Sequence, residues 1–137
     1  MSRAELMVEA ARAAVGTPFR HQGRTVGRGI DCAGLMLHAV SAAGIPVADQ
    51  SGYSRLAGGG MLEAALDSQP GIAQVHDEPR PGDILLMRFD GEPCHLAMLA
   101  GKTIIHAWAI TRKVCEHGFT TEWQGRVVRV YRIAEDG

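Results

Sequence analysis

One residue and its distant partners carry the chemistry this sequence could perform: Cys32, directly preceded by Asp31, and the histidines His95 and His106. A nucleophilic thiol needs a base beside the sulfur and a third group that orients the base. Asp31 reads as the N-cap of a helix, which puts Cys32 in its first turn. Unpaired amides and the positive end of the helix dipole lie there and favour thiolate over thiol. A free thiol has a pKa of about 8.5, and such positions lower it to about 3.5–7.5. Ala33 and Gly34 are small, so a substrate can approach the sulfur, and Gly29 lets the preceding loop turn tightly. Position alone leaves a buried packing cysteine equally open, because that is the usual state of an unpaired one. Cys94 and Cys115 have no helix terminus to help them and read as core or surface residues.

Six histidines are available as a base. Gly101-Lys102 reads as a two-residue hairpin turn, with Ala100 opposite Thr103. His95 then faces Trp108 and His106 faces Ala97, so both imidazoles project from one side of the ribbon as diagonal neighbours. A slip of one residue would send them to opposite faces. His21 lies in the loop before Cys32, where it can touch substrate. His38 is too far round its helix to reach the sulfur, and His76 and His117 read as loop surface. Each histidine taken singly is more readily a satisfied or solvated residue, but two on one face of an inner hairpin, among Leu96, Met98, Ile104 and Ile105, are less easily dismissed. A zinc site of Cys32, His95 and His106 lacks the local ligand pairs such sites carry, and no metal or other cofactor is expected.

The elements that must position these groups follow from periodicity. Ser2 and Glu5 form a capping box ahead of an apolar stripe through Met7, Val8, Ala11 and Ala14, which predicts a first helix ended by Gly16 and Pro18. A Gly- and Arg-rich loop runs to Ile30, and a second helix to about Ala43. Residues 47–60 read as a loop, and Met61 to Ser68 as a short third helix. Beyond the turn cluster Pro79-Arg80-Pro81-Gly82-Asp83 the period changes. Ile84 to Phe89, His95 to Ala100, Thr103 to Trp108 and Val127 to Ile133 read as strands, with Arg112 to Glu116 a weaker fifth. Helices followed by an antiparallel meander make an α+β pattern.

Composition bounds the rest. The 137 residues make one domain, 46% hydrophobic and 21% charged, enough for a core. Fourteen Lys and Arg against fifteen Asp and Glu give a net charge of −1, which supplies no field for a nucleic-acid backbone. Three cysteines without a CxxC pair suit neither a disulfide scaffold nor a thiolate zinc knuckle. No apolar run reaches the roughly 18–20 residues that cross a bilayer, so no membrane insertion is expected. Glu5 and Glu9 break any signal-peptide pattern, so synthesis in the cytoplasm is the expectation.

Three stretches together resemble the NlpC/P60 cysteine peptidases. Gly16-Thr17-Pro18-Phe19 through Ile30-Asp31-Cys32-Ala33-Gly34-Leu35 is similar to the family's GTPY…G…DCSGL block. Arg80-Pro81-Gly82-Asp83-Ile84 is similar to its PGDL turn and strand start. His95-Leu96-Ala97-Met98-Leu99-Ala100-Gly101, followed by Ile105-His106-Ala107, is similar to HVGIYLG…IHA. The form Gly16 to Gly23 resembles the family's phage-tail branch, whose members are short single domains without a signal peptide.

The resemblance implies a papain-like fold: N-terminal helices packed on a central antiparallel sheet of about five strands, as one domain over residues 1–137. It implies Cys32 as nucleophile, His95 as general base and His106 as the polar orienting residue, with Phe19, His21, Asp31 and Ala33 as substrate contacts. It implies hydrolysis of an amide in peptidoglycan stem peptides, between D-glutamate and a diamino acid, by a protein carried in a phage tail to the periplasmic cell wall. Other tail proteins would be its partners. The alternative is a catalytically weak structural component of the tail tip with the same fold. Two positions depart from the family pattern: Phe19 stands where many relatives have a Tyr whose hydroxyl lies near the active site, and Ala33 replaces the common Ser.

Overall fold

The computed structural model describes residues 1–49 and 60–134. Most of the loop expected over residues 47–60 lies outside the described residues. Helix α1 spans Arg3–Ala13, and the Ser2/Glu5 capping box forms as the sequence predicts. A two-stranded ribbon, β1 (Arg24–Thr25) and β2 (Gly29–Ile30), leads into α2 (Cys32–Ala42). After α3 (Met61–Asp67) come β3 (Ile72–Val75), β4 (Ile84–Met87), β5 (His95–Leu99), β6 (Thr103–Trp108) and β7 (Lys113–Gly118). The short helix α4 (Thr121–Gln124) and strand β8 (Val127–Ile133) close the chain.

The main sheet has six strands, in the order β3-β8-β4-β5-β6-β7, all neighbours antiparallel. This is the α+β architecture the sequence implies, with one strand more than expected. The addition, β3, has four residues and is held at the sheet edge by its pairing with β8. A stretch that short carries too little alternation to stand out in sequence.

The two sheet faces differ. On one, Met7 and Ala11 of α1 and Leu35, Met36 and Ala39 of α2 pack on Ile84, Leu86, Leu96, Met98 and Ile105. Each such Met, Leu or Ile side chain contributes about 1.5–3 kcal/mol by leaving water. On the other, Leu85, Met87, Ala97, Leu99 and Ile104 form a smaller cluster against Phe119, Trp123, Val127 and Val130. The turn before β4 is fixed electrostatically. Asp83, 1% exposed, accepts from the Arg80 amide at 2.8 Å and from Arg132 Nε and Nη2 at 2.9 and 2.8 Å.

Candidate active site

The loop before Cys32 is built to present α2. Phe19 donates its amide to the Arg112 carbonyl at 2.8 Å, and Val114 donates to Thr17 at 2.8 Å, so the loop runs along β7. Asp31 caps α2 by accepting from the Gly34 amide at 2.8 Å. Its carboxylate also takes the Gln22 amide at 2.8 Å and Arg24 Nη1 at 2.9 Å, and the residue is 3% exposed. Asp31, expected to touch substrate, is thus occupied in holding the loop and the helix start together. Gly34 has a packing role as well: a Cβ there would overlap the Gly23 carbonyl oxygen.

Cys32 is half-buried at the edge of the aliphatic core. Backbone N–H groups of Leu96 and Ala33 point to its sulfur and favour the thiolate. Burial outweighs them and, with the Asp31 carboxylate beside it, pushes the thiol up to about 12. This runs against the lowered pKa expected from the helix terminus: desolvation and the adjacent Asp31 anion outweigh the amides at the start of α2. The Leu96 contact places the sulfur at the start of β5, next in sequence to His95.

The β5–β6 hairpin has the expected register: Met98 pairs with Ile105, Leu99 with Ile104, and Ala100 donates to the Thr103 carbonyl at 2.8 Å. His95 and His106 consequently meet, His95 Nε2 lying 2.6 Å from His106 Nδ1. They are 5% and 0% exposed. His106 Nε2 in turn lies 2.7 Å from Nε2 of His117, which sits on β7 and was expected to be loop surface. The cause of that misreading is cross-strand geometry: β7 pairs His106 with Cys115, so His117, two residues on, shares the same face.

The ring protons of this chain of imidazoles follow from one carbonyl. His117 Nδ1 lies 3.1 Å from the Gly118 carbonyl oxygen, which can only accept, so Nδ1 carries the proton. Its Nε2 is then bare and accepts from His106 Nε2–H. His106 Nδ1 is then bare and accepts from His95 Nε2–H. His95 is left with an unprotonated Nδ1, the atom a general base needs. Burial, reinforced by the neighbouring ring, lowers His95 to about 3 and His106 to about 4, so both rings are neutral at pH 7.

Aromatic side chains enclose this relay. The Trp108 ring stacks at 5.5 Å on His106, and Trp123 of α4 lies 5.1 Å from His106 and 4.9 Å from His117. Phe89 is 5.4 Å from His95, and the Arg126 guanidinium sits 5.0 Å over the Phe89 ring. Both tryptophans of the chain are here.

A model of the NlpC/P60 family matches residues 16–132. The chain belongs to the NlpC/P60 family. No curated protein matches it. Among solved structures, NlpC1 from Trichomonas vaginalis is similar over 99% of this chain and 45% of its own, with a TM-score of 0.70 and 21% identity. The NlpC/p60 domain of the peptidoglycan hydrolase SagA is similar over 93% of this chain and 96% of its own, with a TM-score of 0.62 and 21% identity. RipD from Mycobacterium tuberculosis, described as a non-catalytic NlpC/p60 domain protein adapted to peptidoglycan binding, is similar over 96% of this chain and 98% of its own, at 0.64 and 19%. This NlpC/P60 chain spans less than half the length of the first of these relatives.

Of the residues expected at the site of this NlpC/P60 domain, the structure brings His95 and His106 into contact and sets Cys32 against Leu96. Phe19, like Cys32, packs at the margin of the aliphatic core. Ala33 lines an apolar cavity with Met36, Leu62, Leu66 and Leu96. His21 is half-buried, its Nε2 3.5 Å from the Gln22 side-chain nitrogen. The residues sequence reasoning missed are His117, Trp123 and Phe89. The Cys115-x-His117 spacing on one strand, set against His106, was the available signal.

Proposed function

We propose that this chain is a cysteine endopeptidase or amidase that cuts an amide of peptidoglycan stem peptides, between D-glutamate and a diamino acid. We further propose that it is made in the cytoplasm and reaches the periplasmic cell wall in a phage or prophage tail, with tail proteins as partners. The supporting observation is the relay that leaves His95 Nδ1 unprotonated at the strand start beside which the Cys32 sulfur sits.

Because the thiol and both rings rest neutral, the proton leaves Cys32 as the sulfur attacks rather than before. The S–H proton passes to His95 Nδ1 while the sulfur bonds to the amide carbonyl carbon. His106 accepts from His95 Nε2–H throughout, which stabilises the imidazolium that forms. The Cys32 amide, first in its helix and without an intrahelical acceptor, serves the oxyanion; one such donor contributes about 2.7–4 kcal/mol. His95 then gives its proton to the leaving amine. Water, deprotonated by the same nitrogen, cleaves the thioester to carboxylic acid and restores the thiol.

A second reading is a catalytically weak tail-tip component. The raised Cys32 thiol and the missing hydroxyl at Phe19 favour it. Digestion of purified sacculi followed by mass spectrometry of muropeptides separates the two. The hydrolase reading expects cleaved stem peptides from the wild type and none from Cys32→Ala. Identical profiles from both would leave the structural reading.

A further inference from the structure

We propose that His106, Cys115 and His117 form a binding site for a zinc-type divalent cation, and that filling it switches the imidazole relay off. The binding half stands on its own geometry; the switching half deepens the hydrolase reading and rests on it.

The three side chains share one sheet face. His106 pairs directly with Cys115 across β6 and β7, and His117 lies two residues beyond Cys115. One donor atom from each falls within 4.8 Å of the others. A tetrahedral ion with metal–nitrogen bonds of about 2.0–2.1 Å and a metal–sulfur bond of about 2.3 Å needs donors roughly 3.3–3.7 Å apart. The imidazole nitrogens, now 2.7 Å apart, would open slightly and the sulfur would close in. Two imidazoles and a thiolate suit zinc or cobalt rather than magnesium or calcium. One outer partner is already in place. The Gly118 carbonyl holds His117 Nδ1–H, so the nitrogen facing the ion is the bare one. The Thr111 hydroxyl lies 3.7 Å from the Cys115 sulfur but donates nearer at hand, to the Trp108 or Lys113 carbonyl at 3.1 Å, and would have to turn to serve the thiolate. Glu116, between Cys115 and His117, points away and is bound by Arg12 and Thr103. The loop over residues 16–19 covers β7 only from Arg112 to Val114, and Cys115 and His117, beyond that stretch on the outermost strand, are half-buried, which gives an ion a way in.

The consequence for the relay follows from counting protons. Coordination through His106 Nε2 displaces the proton that nitrogen carries, and a neutral ring must then hold it on Nδ1. That Nδ1–H now donates to His95 Nε2, so the His95 proton moves to Nδ1. The one atom able to accept a proton from Cys32 is thereby blocked. The net release to solvent is the Cys115 thiol proton.

Cobalt titration of chelator-treated protein reads the site without reference to activity. A thiolate-to-cobalt absorption band is expected in the wild type and in Cys32→Ala, and not in Cys115→Ala, whose far-ultraviolet circular dichroism reports its fold. Absence of the band in the wild type, or its persistence in Cys115→Ala with loss in Cys32→Ala, overturns the site. Nitrogen-15 spectra of the histidine rings read the switch: zinc should move the His95 proton from Nε2 to Nδ1, and an unmoved proton overturns it. In muropeptide release, one equivalent of zinc should slow the wild type at least tenfold, reversibly with chelator, and change Cys115→Ala less than twofold. Equal inhibition of both proteins overturns the switch. A metal-free wild type with no hydrolysis instead counts against the hydrolase reading, and the cobalt and ring spectra still decide the site.

Discussion

The two faces of the sheet do different work. The face under α1 and α2 is aliphatic, with Leu35, Leu96, Met98 and Ile105 interlocked and almost no polar atoms among them. The opposite face, from β5 to β7, carries three hydrogen-bonded imidazoles walled by Trp108, Trp123 and Phe89. Cys32 belongs by its helix to the first face and by its Leu96 contact reaches the strand end from which His95 projects to the second. The separation means that the scaffold can be altered without touching the chemistry, and the reverse. It also means that the relay's geometry is set by strand register rather than by core packing.

Substitutions on either side sharpen this division, beginning with the largest effect. His95→Ala should reduce hydrolysis by about 10³-fold or more while the melting temperature stays near that of the wild type, because it removes the base and little apolar area. A large fall in melting temperature with proportionate loss of activity would erase the distinction between faces. Leu35→Ala should do the opposite. It empties a fully buried position on the aliphatic face and should cost about 2–5 kcal/mol in urea unfolding, with kcat per folded molecule little changed.

His117 is the next test, measured in chelator so that no ion intervenes. His117→Ala removes the acceptor for His106 Nε2–H and should lower kcat by about 10–100-fold with KM nearly constant. His117→Gln can offer a carbonyl oxygen in its place and should recover most of that loss. Equal defects in the two variants would show that His117 acts through packing alone. The smallest effect concerns pH. With the Cys32 thiol raised toward about 12, its thiolate fraction is small at neutral pH and grows tenfold per unit. Iodoacetamide alkylation of Cys32 should therefore keep rising through pH 8–10. A plateau below pH 8 would mean a preformed thiolate, and the sequence expectation for a helix-terminal cysteine would stand after all.

What could be read from the sequence depended on how local its cause was. The Ser2/Glu5 box, the Asp31 cap and the start of α2 at Cys32 are set within three residues of chain and were legible. The β5–β6 register was legible because a two-residue turn fixes it. His117 was not, because its face depends on a longer turn between β6 and β7 whose length gives no unique register. The state of the Cys32 thiol was misjudged for a related reason. The helix terminus is visible in the sequence, whereas the burial that opposes it comes from the aliphatic core against which Cys32 packs, assembled from strands far along the chain. Asp31 looked available to substrate until Gln22 and Arg24 were seen to occupy its carboxylate.

The ordering of ring protons is the claim on which the rest stands, and nitrogen-15 spectra of the histidine rings in chelator-treated protein at pH 7 test it most directly. Neutral rings are expected, with the proton on Nε2 in His95 and His106 and on Nδ1 in His117. A His95 ring protonated on Nδ1 in the metal-free protein would contradict it, because no lone pair would then be available to the sulfur.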